Sequence, residues 1–271
     1  MENLSPDAIK DNAMNHPDYL VRADNVKLIT DENILSEIIG TDPDFYVRQT
    51  AVANITSESL LEQVAKSDID YYVRLAAVRK ITSNNILFDI ATNPEEDYFI
   101  CKEAVAGISS EEVLKRIIND ASDKDIKSAA IEKIDNEEVL FDIARTAADF
   151  YVRTGVIRHL KSEEKLADIT CNDEDYYVRA IAVQNIKNEE ILYKVAINDE
   201  DYYVRKEAVQ RISDNKYLYD IIQRDEDAYV RRIALENITD AGILKEISEK
   251  DNDRLLARIA RQMLKDGFEE A

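Results

Sequence analysis

The chain has 271 residues, with 35 Lys+Arg against 56 Asp+Glu and a formal net charge of −21. Only 5 Gly and 4 Pro interrupt it, too few turn formers for an all-β sandwich or barrel, and its 45% hydrophobic content exceeds that of a disordered acidic tail. The charge also argues against a nucleic-acid partner, because neutralising phosphates takes a Lys/Arg surplus.

In chain order, a half repeat at about residues 5–15 comes first. A recurring phrase follows: Asp, two aromatics, Val, Arg. It stands as Asp44 to Arg48, Asp70 to Arg74, Asp149 to Arg153, Asp175 to Arg179 and Asp201 to Arg205, with diverged copies at Asp18 to Arg22 and Asp227 to Arg231. Arg22, Arg48 and Arg74 are 26 residues apart, and so are Arg153, Arg179, Arg205 and Arg231. Between these series lie two degraded copies, with Cys101 and Lys127 in the Arg place, one extra residue before Cys101, and Lys124-Asp125 for the aromatic pair. The basic stretch there (Lys102, Lys115, Arg116, Lys124, Lys127) reads as drift in the repeat or as a partner site. A last copy puts Ala257 in the Arg place and opens a capping helix at about 254–265, followed by a frayed tail.

Counting from the Arg position as zero, aliphatic residues fall at −1, +3, +4 and +7, as in Val178, Ala182, Val183 and Ile186. This is one face of an α-helix. A second set falls at +12, +13, +16 and +17, as in Ile191, Leu192, Val195 and Ala196, and position +13 is Leu in every unit that has it. Each unit is therefore predicted to be a helix of about three turns, a tight turn and a shorter helix of about two turns. Helices this short persist only by stacking on neighbours. The expected fold is all-α, a single continuous right-handed α-solenoid over 1–271 of about ten 26-residue two-helix repeats.

The Asp at −4 is placed to cap the first helix. The Arg four residues later sits where the helix dipole disfavours a cation, so it needs an acidic partner: its own Asp at i−4 or an acid of an adjacent unit. A second acid recurs at −6, as Asp42, Asp68, Glu95, Asp173, Asp199, Asp225 and Asp251. The pattern predicts a structural ladder along one edge, carried by Asp44 and Arg48, Asp70 and Arg74, Asp149 and Arg153, Asp175 and Arg179, Asp201 and Arg205, Asp227 and Arg231. The competing possibility is an anion site made by the arginines.

The Asp-x-x-Val-Arg-x-x-Ala-Val phrase followed by a Leu-bearing second helix resembles HEAT-like repeats, including the phycobilisome-lyase type, and also the bacterial variant leucine-rich repeats, which share the Asp-x-x-Val-Arg opening. The spacing of the second apolar set favours the HEAT-like kind. The resemblance covers roughly residues 5–265 and implies a scaffold that binds other proteins, with no chemistry of its own.

No Gly-rich phosphate loop, metalloprotease or nucleophile-elbow motif is present, and His16, His159, Cys101 and Cys171 are too scattered for a metal centre or a disulfide framework. The acid pairs Glu137-Glu138, Glu163-Glu164 and Glu189-Glu190 suit the start of the second helix. His159, at +6, reads as a helix-surface residue. Most tyrosines fall in the repeated phrase and are expected to pack between repeats with the hydroxyl outward. Phe88, Phe141, Tyr193 and Tyr219 share position +14 on the second helix, which in HEAT-like stacks lines the concave face; they are the expected binding groove, with edge packing as the alternative. The function expected is a non-enzymatic scaffold holding a protein or peptide, possibly basic. A lyase-like or chaperone-like auxiliary factor and an acidic DNA mimic are the alternatives. No secretory signal or bilayer-length apolar run is seen, so a cytoplasmic location is expected, with no cofactor, metal, nucleic-acid or membrane partner.

Overall fold

The structure, a computed structural model, describes residues 4–268, which hold twenty α-helices and no strand. The chain divides into two compact units, Met1–Ile134 and Asp135–Ala271. The first contains α1 (Pro6–Asn15), α2 (Tyr19–Val26), α3 (Glu32–Thr41), α4 (Phe45–Asn54), α5 (Glu58–Ser67), α6 (Tyr71–Val78), α7 (Asn84–Ala91), α8 (Tyr98–Gly107), α9 (Glu111–Asp120) and α10 (Lys124–Ile131). The second contains α11 (Glu137–Thr146), α12 (Phe150–Ile157), α13 (Glu163–Asn172), α14 (Tyr176–Val183), α15 (Glu189–Asn198), α16 (Tyr202–Val209), α17 (Asn215–Arg224), α18 (Ala228–Glu236), α19 (Ala241–Lys250) and α20 (Arg254–Phe268). Even-numbered helices carry the Asp-Tyr-Tyr-Val-Arg phrase or its diverged form and are the first helices of the repeat; odd-numbered ones are the second helices.

Each second helix packs most heavily on the first helix that follows it, α1 on α2 and α13 on α14 among them. The structural pair is thus offset by half a sequence repeat, and α1, read from sequence as a half repeat, completes the first pair. The Leu at +13 is the constant of the core: all nine, from Leu35 to Leu244, are buried.

The relative helix lengths differ from the sequence expectation. The first helices α6, α14 and α16 have 8 residues, whereas the second helices α5, α13 and α15 have 10. The reason lies at +6 and +7. The amides of Asn185 and Ile186 donate to the carbonyls three residues back, of Ala182 and Val183, at 3.0 and 3.1 Å. This tightened turn closes α14 after Val183. Ile186, counted from sequence as part of the helical stripe, is fully buried from the turn instead. At the C-terminus α20 runs to Phe268, past the expected 254–265; the expected fraying is not seen up to that point, and 269–271 lie outside the described residues.

Helix ends are completed from both sides. From α2 to α18, the Asp at −4 is the N-cap of each first helix, as where Asp175 accepts from the Tyr177 amide at 2.8 Å. The opposite end lacks the glycine cap that helices commonly use: no described residue has positive φ. At Asn54, Lys80, Lys133, Arg211 and Asn237 the +6 residue of the next repeat takes that role. Asn54 Nδ2 donates to the carbonyls of Val26, Lys27 and Ile29 at 3.1, 3.3 and 2.9 Å. Lys133 Nζ donates to Val105, Ala106 and Ile108 at 3.1, 2.5 and 2.6 Å. Burial pushes the Lys133 ammonium below its ordinary value. His159, at the same position, is exposed.

Two helical glycines give opposite expectations. A Cβ on Gly40 in α3 would meet nothing within 4 Å, whereas one on Gly107 in α8 would lie 3.0 Å from Cδ1 of the fully buried Leu87. Gly40→Ala should stabilise the protein by about 0.5–1 kcal/mol through helix propensity. Gly107→Ala should lower stability, because overpacking at about 1–3 kcal/mol outweighs the same gain. Urea melts of the two variants check this; equal shifts would contradict the packing at Leu87.

Candidate functional site

The arginine edge resolves into a fixed geometry. Arg179 donates from Nε and Nη2 to both carboxylate oxygens of Asp199, at 2.9 and 3.0 Å, and from Nη1 to the carbonyls of Asp173 and Glu174, at 3.0 and 3.4 Å. Arg22 with Asp42, Arg48 with Asp68, Arg153 with Asp173 and Arg205 with Asp225 repeat it. The ladder therefore runs from each Arg to the −6 acid of the following repeat. Of the two partners the sequence offered, the own-unit Asp at −4 (Asp44, Asp70, Asp149, Asp175, Asp201, Asp227) is not the one bonded, because its carboxylate is turned to the free helix amides. The hydrogen bond that each guanidinium donates to its Asp raises the pKa of Arg22, Arg48, Arg179 and Arg205.

Departures from the rule have visible causes. Arg74 reaches Glu96, not the Glu95 expected from spacing, because of the extra residue before Cys101. Arg231 reaches Asp253, an N-capping residue, at 3.1 Å. A cleft of about 710 Å³ opens beside Arg179, with Thr170, Cys171 and Lys194 in its walls. The guanidinium already faces a carboxylate and two carbonyls, so an anion there would have to displace Asp199.

A second ladder involves the acids at +10. Glu137 Oε1 accepts from the amides of Lys161 and Ser162 at 2.8 and 2.7 Å. Glu32, Glu58 and Glu189 do the same one repeat onward, and Asn84 and Asn215 substitute for Glu elsewhere. These bonds hold the carboxyls of Glu32, Glu58, Glu137 and Glu189 below the ordinary range. A lowered folded-state pKa contributes stability that is full above the unfolded value, about 4.3, and is lost as pH falls through the folded one. The thermal midpoint should therefore drop as pH is taken from about 5 to about 3. Glu137→Gln should lower the midpoint at neutral pH and shrink that drop; an unchanged acid limb would refute the role of this ladder.

The four aromatics expected to form a groove are in contact across neighbouring second helices. Within each unit the first helices approach one another more closely than the second helices do. Phe88, Phe141, Tyr193 and Tyr219 stand on the second helices α7, α11, α15 and α17. All four rings are half-buried. Each meets the next repeat's second helix: Arg116 sits 4.0 Å from the Phe88 centroid, Lys165 5.8 Å from that of Phe141, Tyr193 stacks on Tyr217 at 4.3 Å and donates to Asp220, and Tyr219 lies beside Glu246, its pKa raised by burial and then by the Glu246 charge.

The first helices carry the more continuous aromatic surface. Position −2 lies opposite the buried stripe of −1, +3 and +4 on a helix of 3.6 residues per turn. It holds Leu20, Tyr46, Tyr72 and Phe99 in the first unit, where Asp125 ends the row, and Tyr151, Tyr177, Tyr229 and Leu255 in the second, exposed by 38% at Tyr46 to 64% at Phe99, with Tyr203 half-buried among them. Rings at −3 link the row: Tyr19 meets Tyr46 at 6.3 Å, Phe45 meets Tyr72 at 6.0 Å and Tyr176 meets Tyr203 at 6.1 Å. Beside Tyr72 a cleft of about 630 Å³ is lined by Gln49, Leu75, Ala76 and Arg79. The sequence reading treated these rings as inter-repeat packing; they pack and remain exposed.

The thiols differ. Cys101 is buried, its Sγ 3.4 Å from the Ile90 carbonyl, and burial, then Glu96 and Asp97, push its pKa up to about 11. Cys171 is exposed. Among the described residues no group of three His, Cys, Asp or Glu is placed to hold a metal ion, and no helix is long and apolar enough to cross a membrane.

No family model matches the chain, and no curated protein matches it. Among solved structures, a leucine-rich repeat variant with a novel repetitive structural motif is 22% identical, with a TM-score of 0.49 over 80% of this chain and 86% of that one. A computationally designed self-assembling cyclic homooligomer is 12% identical, with a TM-score of 0.13 over 94% of this chain and 85% of that one. Neither likeness bears on function, and the repeat fold rests on the helices themselves.

Proposed function

We propose that this chain is a non-enzymatic scaffold of HEAT-like helix pairs that holds a protein or peptide along its first helices. The observation that supports this reading is the row of exposed aromatic rings at −2 and −3 on the more closely packed side of each unit. Rings such as these supply large contact area at low entropic cost, the property shared by binding hot spots. Single exposed apolar residues are ordinary, but a contiguous series is not.

The alternatives have less behind them. A lyase-like role wants an activated thiolate, and the Cys101 thiol is shifted the other way. A DNA mimic wants a uniformly acidic face, whereas the first helices present Lys27, Arg79, Lys102, Arg158 and Arg232 among their tyrosines. The test places a photo-crosslinking phenylalanine analogue at Tyr72 or Tyr177, and separately at Phe141 or Tyr219, in cells of the source. A specific adduct at the first pair and not at the second is expected. Adducts confined to the second-helix positions would move the site to those helices, and none at any position would overturn the scaffold reading.

A further inference from the structure

The second unit carries an addition that the fold does not require. Three consecutive repeats open with Asp-Glu-Asp: Asp173-Glu174-Asp175, Asp199-Glu200-Asp201 and Asp225-Glu226-Asp227. The outer residues have structural partners, since the first Asp of each receives the preceding Arg and the second caps its helix. The middle Glu is different. In the first unit the same position is Pro17, Pro43, Ile69, Glu96 and Ser122, and in the second it is also Ala148, so most other repeats fold without an acid there. Glu200 and Glu226 come within 3.5 and 3.7 Å of Arg179 and Arg205, yet their side chains are 86% and 87% exposed. Glu174 is exposed too.

Two residues after Glu174 and Glu200, and three after Glu226, the exposed ring row begins, with Tyr176, Tyr177, Tyr202 and Tyr229. Rings on this row already receive cations. Lys206 Nζ lies 4.1 Å from the Tyr203 centroid and the Arg232 guanidinium 5.2 Å from that of Tyr229. A ring face beside an exposed carboxylate is a place for a guanidinium or ammonium, attracted by the quadrupole and the charge together.

The spacing specifies the occupant further. Successive first helices stand one helix–helix distance apart, about 8–10 Å. An extended chain advances about 3.3 Å per residue, and a polyproline II chain about 3.1 Å, so three residues cover one repeat. The geometry points to an extended cationic segment, with Arg or Lys at every third residue, lying across α14, α16 and α18 with one cation per Glu–Tyr station. This rests on the scaffold reading above and narrows it to one partner chemistry and one unit.

The test uses the full chain and two fluorescein-labelled peptides of equal charge, Arg-Gly-Ser-Arg-Gly-Ser-Arg and Arg-Gly-Ser-Gly-Arg-Gly-Ser-Gly-Arg, followed by anisotropy. The period-three peptide is expected to bind at least tenfold more tightly. Glu200→Gln and Tyr202→Ala should each weaken it several-fold while circular dichroism melts stay within a degree or two of the parent, and Tyr46→Ala in the first unit should leave it unchanged. Equal affinity for the two peptides, or equal loss in the Tyr46 variant, would show general attraction to an acidic protein and overturn the register. Absence of binding by both peptides, with crosslinking at Tyr177 retained, would overturn the cationic occupant and leave the scaffold reading standing. Loss of crosslinking as well would remove both.

Discussion

Arg179→Ala is expected to destabilise the protein by about 3–5 kcal/mol, the range for removing one partner of a buried ion pair. The guanidinium and the Asp199 carboxylate it holds are both over nine-tenths buried. Truncation leaves that carboxylate with the Asp201 amide alone and frees the carbonyls of Asp173 and Glu174. The control is Arg79→Ala, whose pair with Glu103 is 59% and 33% exposed and should contribute under about 1 kcal/mol. Replacing both Arg179 and Asp199 by apolar residues should recover part of the loss, because the penalty comes mostly from the stranded charge. Equal urea-melt shifts for Arg179→Ala and Arg79→Ala would refute the buried ladder.

Leu192→Ala should cost about 2–5 kcal/mol, the range for emptying a buried leucine site. Leu192 is 1% exposed, and it lies on α15, which packs on α16 and faces α17. In a stack where each repeat touches only its neighbours, the cavity weakens local interfaces, so the transition should broaden as well as shift. Leu28→Ala, at a site 62% exposed, should stay within about 0.5 kcal/mol of the parent. A Leu192→Ala shift as small as that would mean the +13 row is not the core of the stack.

What the sequence made legible is what repeats with the chain. The 26-residue period, the capping Asp at −4 and the Leu at +13 are each stated many times over, so a few diverged copies do not hide them. The arginine's partner was harder, because the acids at −4 and −6 are equally regular. A signal was present nonetheless. Where the Arg is lost, at Cys101 and Lys127, the −6 residues of the following repeats are Ala121 and Ala147. The two positions lapse together, whereas Asp123 and Asp149 at −4 persist, as helix caps must. The half-burial of Phe88, Phe141, Tyr193 and Tyr219 was not legible, since it depends on the side chains that the next repeat's second helix sets against them. The exposed row at −2 could have been found from helix periodicity alone, for it lies opposite the buried stripe; the density of aromatics in one phrase made packing the simpler account.

Nearly every bond that joins one repeat to the next connects fixed positions one period apart: zero to the next −6, +10 to the next loop, +6 to the preceding helix end. Removing residues 179–204 would therefore bring Arg205 into the place of Arg179, with Asp225 still ahead of it and the carbonyls of Asp173 and Glu174 behind. The severed ladder contacts would find their equivalents, whereas the stacking of Tyr193 on Tyr217 would be lost to Ala167. A cut one residue longer or shorter would shift the register of these contacts, which the chain meets once, at the extra residue before Cys101, by taking Glu96 as the partner of Arg74. The number of repeats in such a chain is thus a quantity that recombination can change in whole steps without redesigning the ladders, and the sequence between the steps is where change is penalised.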